Sequence, residues 1–412
     1  MSFLDKHENF LSKYNRILIF LFFILFFVED VTRYKHILFY LMIATALCYL
    51  CLDSKKVIEK LKHKEVYFTL LFSVALYVSV SYSLNPKATL KFINNNLLNY
   101  GILSLGLLFP IILYKEKLTD ISKLVILGYL TALVVLLLIE SASYLIAYQH
   151  GVLPFTTYNF RNISDALTFF FPILPILWYI LPKNKLIYFY ILCVVFLFIL
   201  LGTLSRGAWL AIAVSGGIFL CFKRPWKLIA SVIGLALIGL ISLKMIYPET
   251  TNMLFFKLEQ TDSSNRYTNG TQGTAFELII EQPFMGYGIG DSVYHEKYNS
   301  VVAEHPMWAA RTSIGPHNIW LFVWFGAGIF GLASFTLLTL SMGYTSYQGI
   351  RRSVENPLIY FSFLALFISL IGFYVVRGMF EQVDLKPLGL ILGFLIAMIN
   401  AIPTKRISEN NG

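Results

Sequence analysis

Residues 186–204 read LIYFYILCVVFLFILLGTL, and residues 205–209 continue as SRGAW. The first stretch carries no charge and no polar stripe at helical spacing. A helix packed on one face only would show such a stripe. Its length suits a bilayer core, which a helix crosses in about 20 apolar residues. The reading is therefore a transmembrane helix, with an arginine placed directly after it.

Similar runs recur on both sides. They predict spans at 16–32, 36–52, 66–84, 97–114, 123–147, 164–181, 186–204, 207–222, 227–247, 317–346, 357–376 and 387–403. The expected fold is an all-α polytopic membrane protein of about 12 transmembrane helices, a single integral membrane domain over residues 1–412. Composition agrees, with 57% hydrophobic and 14% charged residues and a mean hydropathy of +0.68. The first run follows Lys6, Lys13 and Arg16 and lacks a small-residue cleavage site, which reads as a retained span.

Charge gives the expected orientation. Most of the 33 Lys and Arg residues fall in every second gap, among them Lys55, Lys56, Lys60, Lys62 and Lys64, then Lys115, Lys117 and Lys123, and later Arg351 and Arg352. Cytoplasmic segments collect such residues, so both termini are expected inside. The net charge of +10 is then a topological signal, and a nucleic-acid partner is disfavoured. The four cysteines, Cys48, Cys51, Cys193 and Cys221, lie in spans or at inner ends and imply no disulfide framework; Cys48-x-x-Cys51 reads as packing, since no partner ligands accompany it.

One outside segment is large. Residues 248–316 form the expected large loop on the outer face, and long loops beside a rigid scaffold usually carry function. Within it, Ala275, Phe276, Ile279 and Ile280 have helical spacing, and Phe255, Phe256 and Leu258 suggest a second amphipathic piece. The Gly286-Tyr287-Gly288-Ile289-Gly290 run is no dinucleotide site, because no strand–turn–helix unit surrounds it. Walker A, Asp-x-Asp and His-Glu-x-x-His patterns are absent, which disfavours ATP hydrolysis, metal-dependent sugar-nucleotide chemistry and metalloprotease chemistry. No metal site and no cofactor is expected.

Arg206 is the first candidate residue. A guanidinium between two apolar spans is costly unless it lines a cavity or meets an anion, although a snorkelling arginine on lipid headgroups is the bland alternative. Arg266 alone would read as a solvated loop residue; beside Arg206 it makes a two-arginine clamp suited to a diphosphate. His317, in Gly315-Pro316-His317-Asn318, stands at the entrance of the tenth span, where it is either a general base or a helix-entry residue. Asn318, Arg161, Arg33, Arg311, Gly286 and Gly288 are supporting candidates. Glu29, Asp30, Glu140, Asn162, Asp165, His295 and His305 are weaker, and Lys35 and Arg377 would extend a basic rim.

Three local patterns in order resemble the bacterial O-antigen ligase family, which shares a superfamily with O-antigen polymerases. They are Ser205-Arg206-Gly207 after a span; Arg266 followed by Pro283-x-x-Gly286-x-Gly288; and His317-Asn318 followed by Gly326, Gly328 and Gly331. The resemblance covers about residues 200–335 closely and the rest by topology. It implies a bacterial inner-membrane glycosyltransferase of lipopolysaccharide biosynthesis, active at the periplasmic face. Such an enzyme moves a glycan from undecaprenyl diphosphate to a sugar hydroxyl of lipid A–core oligosaccharide. Arg206 and Arg266 would hold the donor diphosphate, and His317 would activate the acceptor. A polymerase, with a second lipid-linked glycan as acceptor, is the nearest alternative. The single large loop, against a short 148–163 segment, favours a ligase. A lipid-linked glycan transporter or flippase would need polar residues along its spans, and few are present.

Overall fold

A computed structural model describes residues 8–224, 226–259 and 263–402. Lys6, which entered the reading of the first span, lies outside the described residues. Among the described residues the secondary structure is helical, with no strand. In chain order we number α1 Glu8–Leu25, α2 Thr32–Glu59, α3 Lys64–Val78, α4 Pro86–Leu97, α5 Ile102–Ile112, α6 Leu118–Gln149, α7 Ser164–Phe170, α8 Ile173–Ile180 and α9 Leu186–Gly202. There follow α10 Arg206–Phe222, α11 Trp226–Ile246, α12 Pro248–Glu259, α13 Ser263–Arg266, α14 Thr271–Glu281, α15 Asp291–Val301, α16 Ile319–Arg352, α17 Pro357–Ser369 and α18 Lys386–Asn400.

Among the described residues, eight helical stretches are long and apolar enough to cross a membrane, and the apolar helices Ser164–Ile180, Arg206–Phe222 and Lys386–Asn400 are shorter. The protein is thus an all-helical, multi-span membrane protein, and the finer count of twelve is not fixed by length and composition. Several expected spans are broken rather than straight. The stretch 164–181 divides into α7 and α8 around Phe171-Pro172, where proline supplies no amide donor. The stretch 97–114 is preceded by α4, which starts with Pro86 in its first turn and is capped by the Asn85 side chain on the Ala88 amide. After α17 the chain winds as a π-helix over Leu370–Val376 and a 3₁₀ turn over Arg377–Met379. π-Helical segments recur at functional sites, and this one delivers Arg377 and Glu381 to one end of the bundle.

Close backbone approach holds the centre. Gly389 and Gly393 of α18 lie against α5: a Cβ at these positions would stand 2.7 Å from the Gly101 carbonyl oxygen and 2.5 Å from that of Leu105. Small residues four apart let membrane helices touch backbone to backbone. Cys193 is buried, whereas Cys48, Cys51 and Cys221 are exposed; the Cys48-x-x-Cys51 pair faces outward from the bundle and does not fill its core.

The 248–316 segment holds α12 to α15 and is stitched to α16. Gly328 interrupts that helix with φ of 62° and ψ of −165°. The break frees carbonyls: the Tyr287 amide donates to Phe325 O and the Gly288 amide to Gly326 O, both at 2.9 Å, while the Ile329 amide donates to Pro283 O at 3.0 Å. Irregular backbone in a membrane protein survives where such pairing satisfies it. The glycine run therefore serves as a docking strip. In α14 the buried side chains include Ala275, Leu278 and Ile279, with Phe276 and Ile280 exposed. The apolar face is rotated from the one that spacing suggested, because Gln272 and Thr274 turn inward as well.

Candidate functional site

Two helix entrances at the same end of the bundle are built alike. His317 (φ 46°) precedes the N-cap Asn318 of α16, and Leu204 (φ 48°) precedes the N-cap Ser205 of α10. Left-handed backbone is uncommon outside glycine and persists where surroundings over-determine it. At α16 the Asn318 side chain accepts from the Trp320 and Leu321 amides at 2.9 and 3.1 Å, and its amide nitrogen donates to Gln272 and Met379 at 3.4 Å. At α10 Ser205 does not cap its helix; its hydroxyl accepts from Arg377 Nη1 at 2.8 Å.

Arg377 is a strut, not part of an exposed basic rim. It is buried (3% exposed), donating through Nε to Asp165 at 2.9 Å and through Nη2 to Ser164 at 2.8 Å. A buried guanidinium with a carboxylate and two hydroxyls has its desolvation offset by partners on every side. The strut fixes α7, the entry of α10 and the turn after α17 in one arrangement.

Above it opens a cavity of about 280 Å³, lined by Arg161, Arg206, Arg266, Tyr267, Phe380 and Glu381 together with Leu204, Gly207 and Leu210. Three of the arginines singled out in the sequence therefore share one cavity. Arg206 occupies the first turn of α10, where the helix dipole adds positive potential. Arg266 donates to the Phe380 carbonyl at 3.0 Å. Arg161 pairs with Glu381 Oε1 at 2.5 Å.

Glu381 links this cationic cavity to the histidine. Its Oε2 meets His317 Nδ1 at 2.7 Å. Burial opposes its ionisation, but the His317 hydrogen bond and charge, with Arg161 and Arg377, outweigh burial and hold the carboxyl at about 2. With Nδ1 directed to the carboxylate, Nε2 is the ring nitrogen left to face a substrate. Gln272 of α14 donates to His317 O at 3.2 Å and to Met379 O at 2.7 Å, so the loop also steadies the backbone at the histidine.

The other candidates fall elsewhere. Arg33 is exposed near the start of α2, and Glu29 and Asp30 are exposed in the turn before it. Arg311 donates to the His305 and Pro306 carbonyls, and His305 stacks on Trp308 at 4.2 Å. Gly286 and Gly288 have positive φ and lie in the strip on α16. Asp165 is engaged by Arg377 at 2.8 Å. None of these lines the cavity. Glu381 and Gln272 escaped sequence reasoning. A carboxylate in the short 376–386 gap is unremarkable in sequence, and its sole signal was its position just past a span end.

Two comparisons with known proteins bear on this site. Residues 191–336 match the family described as O-antigen ligase. A protein of Salmonella typhimurium named O-antigen ligase is 41% identical over 392 residues, which is 94% of this chain and 96% of that protein. The matched family region contains Arg206, Arg266 and His317, whereas Arg161, Arg377 and Glu381 come from outside it.

Proposed function

This chain belongs to the O-antigen ligase family, and from that premise we propose that it transfers a glycan from undecaprenyl diphosphate to a sugar hydroxyl of lipid A–core oligosaccharide. The reaction belongs to lipopolysaccharide biosynthesis, and its site faces the periplasm from the bacterial inner membrane. The observation that carries this reading is the sharing of one cavity by Arg161, Arg206 and Arg266, with Glu381 on its wall bound to His317.

In the proposed reaction the arginines hold the donor diphosphate. The acceptor hydroxyl oxygen attacks the anomeric carbon, and its proton passes to His317 Nε2. The bond from the anomeric carbon to the diphosphate oxygen breaks, and its electron pair remains on the leaving group. Fixed guanidinium groups stabilise that growing charge in a site partly shielded from water. Glu381 positions the imidazole and stabilises it once protonated. A single displacement inverts the anomeric centre, and the arginines fill the electrostatic role that a divalent metal takes elsewhere.

The test is reconstitution of the purified protein with lipid-linked glycan and lipid A–core. Glycosylated lipid A–core is the expected product. Growth of the glycan on its lipid carrier would instead make the protein a polymerase, and absence of any transfer would overturn the reading.

A further inference from the structure

Along α14 the residues fall on three faces. Ala275, Leu278 and Ile279 are buried against the bundle. Glu277 accepts from Trp308 Nε1 and Glu281 from the Tyr287 hydroxyl, both at 2.8 Å, so the two carboxylates are engaged within the 248–316 segment. The third edge is apolar and uncovered. It holds Phe276 and Ile280, four residues apart, and just past the helix end Phe284 and Met285, which are 70% and 55% exposed. The break in α16 gives the level of this edge. Trp320 packs on Phe335 with ring centroids 4.7 Å apart, although fifteen residues of straight helix would separate them by about 22 Å. The chain therefore folds back at Gly328, which leaves the piece after it to cross the membrane. From Ile329 to the basic pair Arg351-Arg352 this piece supplies the roughly 20 residues that a bilayer core requires. Basic residues mark the inner end, so the outer boundary of the core falls near Gly328. There the Ile329 amide and Trp324 Nε1 both donate to the Pro283 carbonyl at 3.0 Å, which pins Phe284 and Met285 at that boundary. Phe330, 73% exposed, continues the apolar surface down α16.

An exposed apolar edge that continues into a membrane-crossing helix matches hydrocarbon, not water. We infer that the Phe276–Ile280 edge of α14, with Phe284 and Met285, is an interfacial anchor that seats the segment in the outer leaflet, and that the lipid surface thereby helps to hold His317 in place. The link to the histidine runs through the other end of α14. Gln272, in the first turn, donates to the His317 and Met379 carbonyls and accepts from Asn318 at 3.4 Å. The helix is thus held by lipid at one end and holds the backbone of His317 at the other. The seat stands on this geometry, and its effect on transfer rests on the role proposed for His317 above.

The experiment has two arms, both on the full-length protein in phospholipid vesicles. In the first, the photocrosslinker p-benzoylphenylalanine replaces Phe284 or, as a water-facing control, the exposed Ser300 of α15, and mass spectrometry reads the adducts after illumination. Phospholipid adducts at position 284, well above those at 300, are the expected result. Equal yields at the two positions, no lipid adduct at 284, or crosslinks there to a second copy of the chain would overturn the seat. In the second arm Phe284→Asp places a charge at the membrane boundary, while Phe284→Leu keeps the position apolar. Misplacing a catalytic group by about 1 Å costs up to about 100-fold in rate, so kcat should fall about tenfold or more in Phe284→Asp with the donor KM unchanged. Phe284→Leu and Ser300→Asp should match the parent. An unchanged kcat, or a change carried by KM instead, would overturn the coupling to His317. A large drop in Tm for Phe284→Asp would mean that the side chain packs within the protein and would overturn the seat. A parent that transfers no glycan would remove the proposed function and the coupling, whereas the adducts would still decide the seat.

Discussion

At the scale of single residues, the proposed reaction assigns the arginines to hold the diphosphate and the His317–Glu381 pair to move a proton. Arg206→Lys and Arg266→Lys each keep the charge but lose the planar fork. A charge-assisted hydrogen bond contributes about 1.5–3 kcal/mol, so kcat/KM should fall roughly 10- to 100-fold for each variant at unchanged expression. Normal transfer by both would remove the clamp. His317→Ala should lower kcat by about 10²–10⁴, the usual range for a general base, with donor binding retained in an equilibrium assay. Glu381→Gln should lower kcat as well, because a neutral amide positions the ring without stabilising its charge. The pH profile gives a sign check on these roles. Glu381 is held at about 2 in the folded protein, below the ordinary carboxylate value of about 4.3. Its ion pairs therefore stabilise the fold above that ordinary value and lose this contribution as pH falls toward 2. In His317→Ala the carboxyl loses the hydrogen bond and charge that do most to lower it, so Glu381 should titrate higher in that variant than in the parent. Arg206 and His317 were visible in the sequence because a polar or charged residue at the edge of an apolar run demands a reason, while Arg266 entered only as a partner for Arg206. Glu381 was not, because its meaning comes from contacts 64 and 220 residues away along the chain.

At the scale of elements, two joints set the geometry. The first is the break in α16. Gly328 combines a positive φ with a position where a Cβ would stand 2.0 Å from the Phe284 carbonyl oxygen. Gly328→Ala therefore adds a steric clash to backbone strain of about 1–3 kcal/mol. Faster hydrogen exchange at Tyr287 and Gly288 is the expected result, as the strip lifts from the helix. Unchanged protection would show that the break tolerates a side chain. The second joint is the Arg377 strut. Arg377→Leu leaves the half-buried Asp165 without its cation; removing one partner of a fully buried pair costs about 3–5 kcal/mol, and the partial exposure of Asp165 places this change below that range. A clear fall in Tm is expected, partly restored by the double variant Arg377→Leu, Asp165→Leu. These joints were hardly legible in advance. The glycine run announced a turn, but its pairing with α16 depends on which carbonyls the break exposes. Arg377 read as a rim residue because burial of a charge leaves no trace in local composition.

At the scale of the whole molecule, the alternation of apolar runs was enough to read an all-helical membrane protein. Run lengths alone did not reveal that several spans are broken at the end where the site lies. A span interrupted by a turn or a π-helix keeps its hydropathy. The orientation argument predicts that a single cysteine at Ser300 is labelled by an impermeant reagent in cells whose inner membrane is intact. Labelling only after disruption of that membrane would reverse the topology. Transfer by the purified protein should survive EDTA. Loss on chelation, restored by magnesium or manganese, would turn attention to Glu29, Asp30 and Asp165.

The strut and the Glu381 bridge also bear on how such a chain is made. Synthesis delivers residues in order from the N-terminus, so Arg161, Asp165 and Arg206 enter the bilayer long before Arg377 and Glu381. Until the last two helices insert, Asp165 lacks its cation and Arg161 its carboxylate. The nascent protein thus holds an incomplete charge set at one end of its bundle, and only nearly full-length chains can close it. Chains cut short by premature termination would carry arginines without the histidine's partner. They would be marked for quality control by unpaired charge at the membrane face and would have no means of spending scarce carrier lipid.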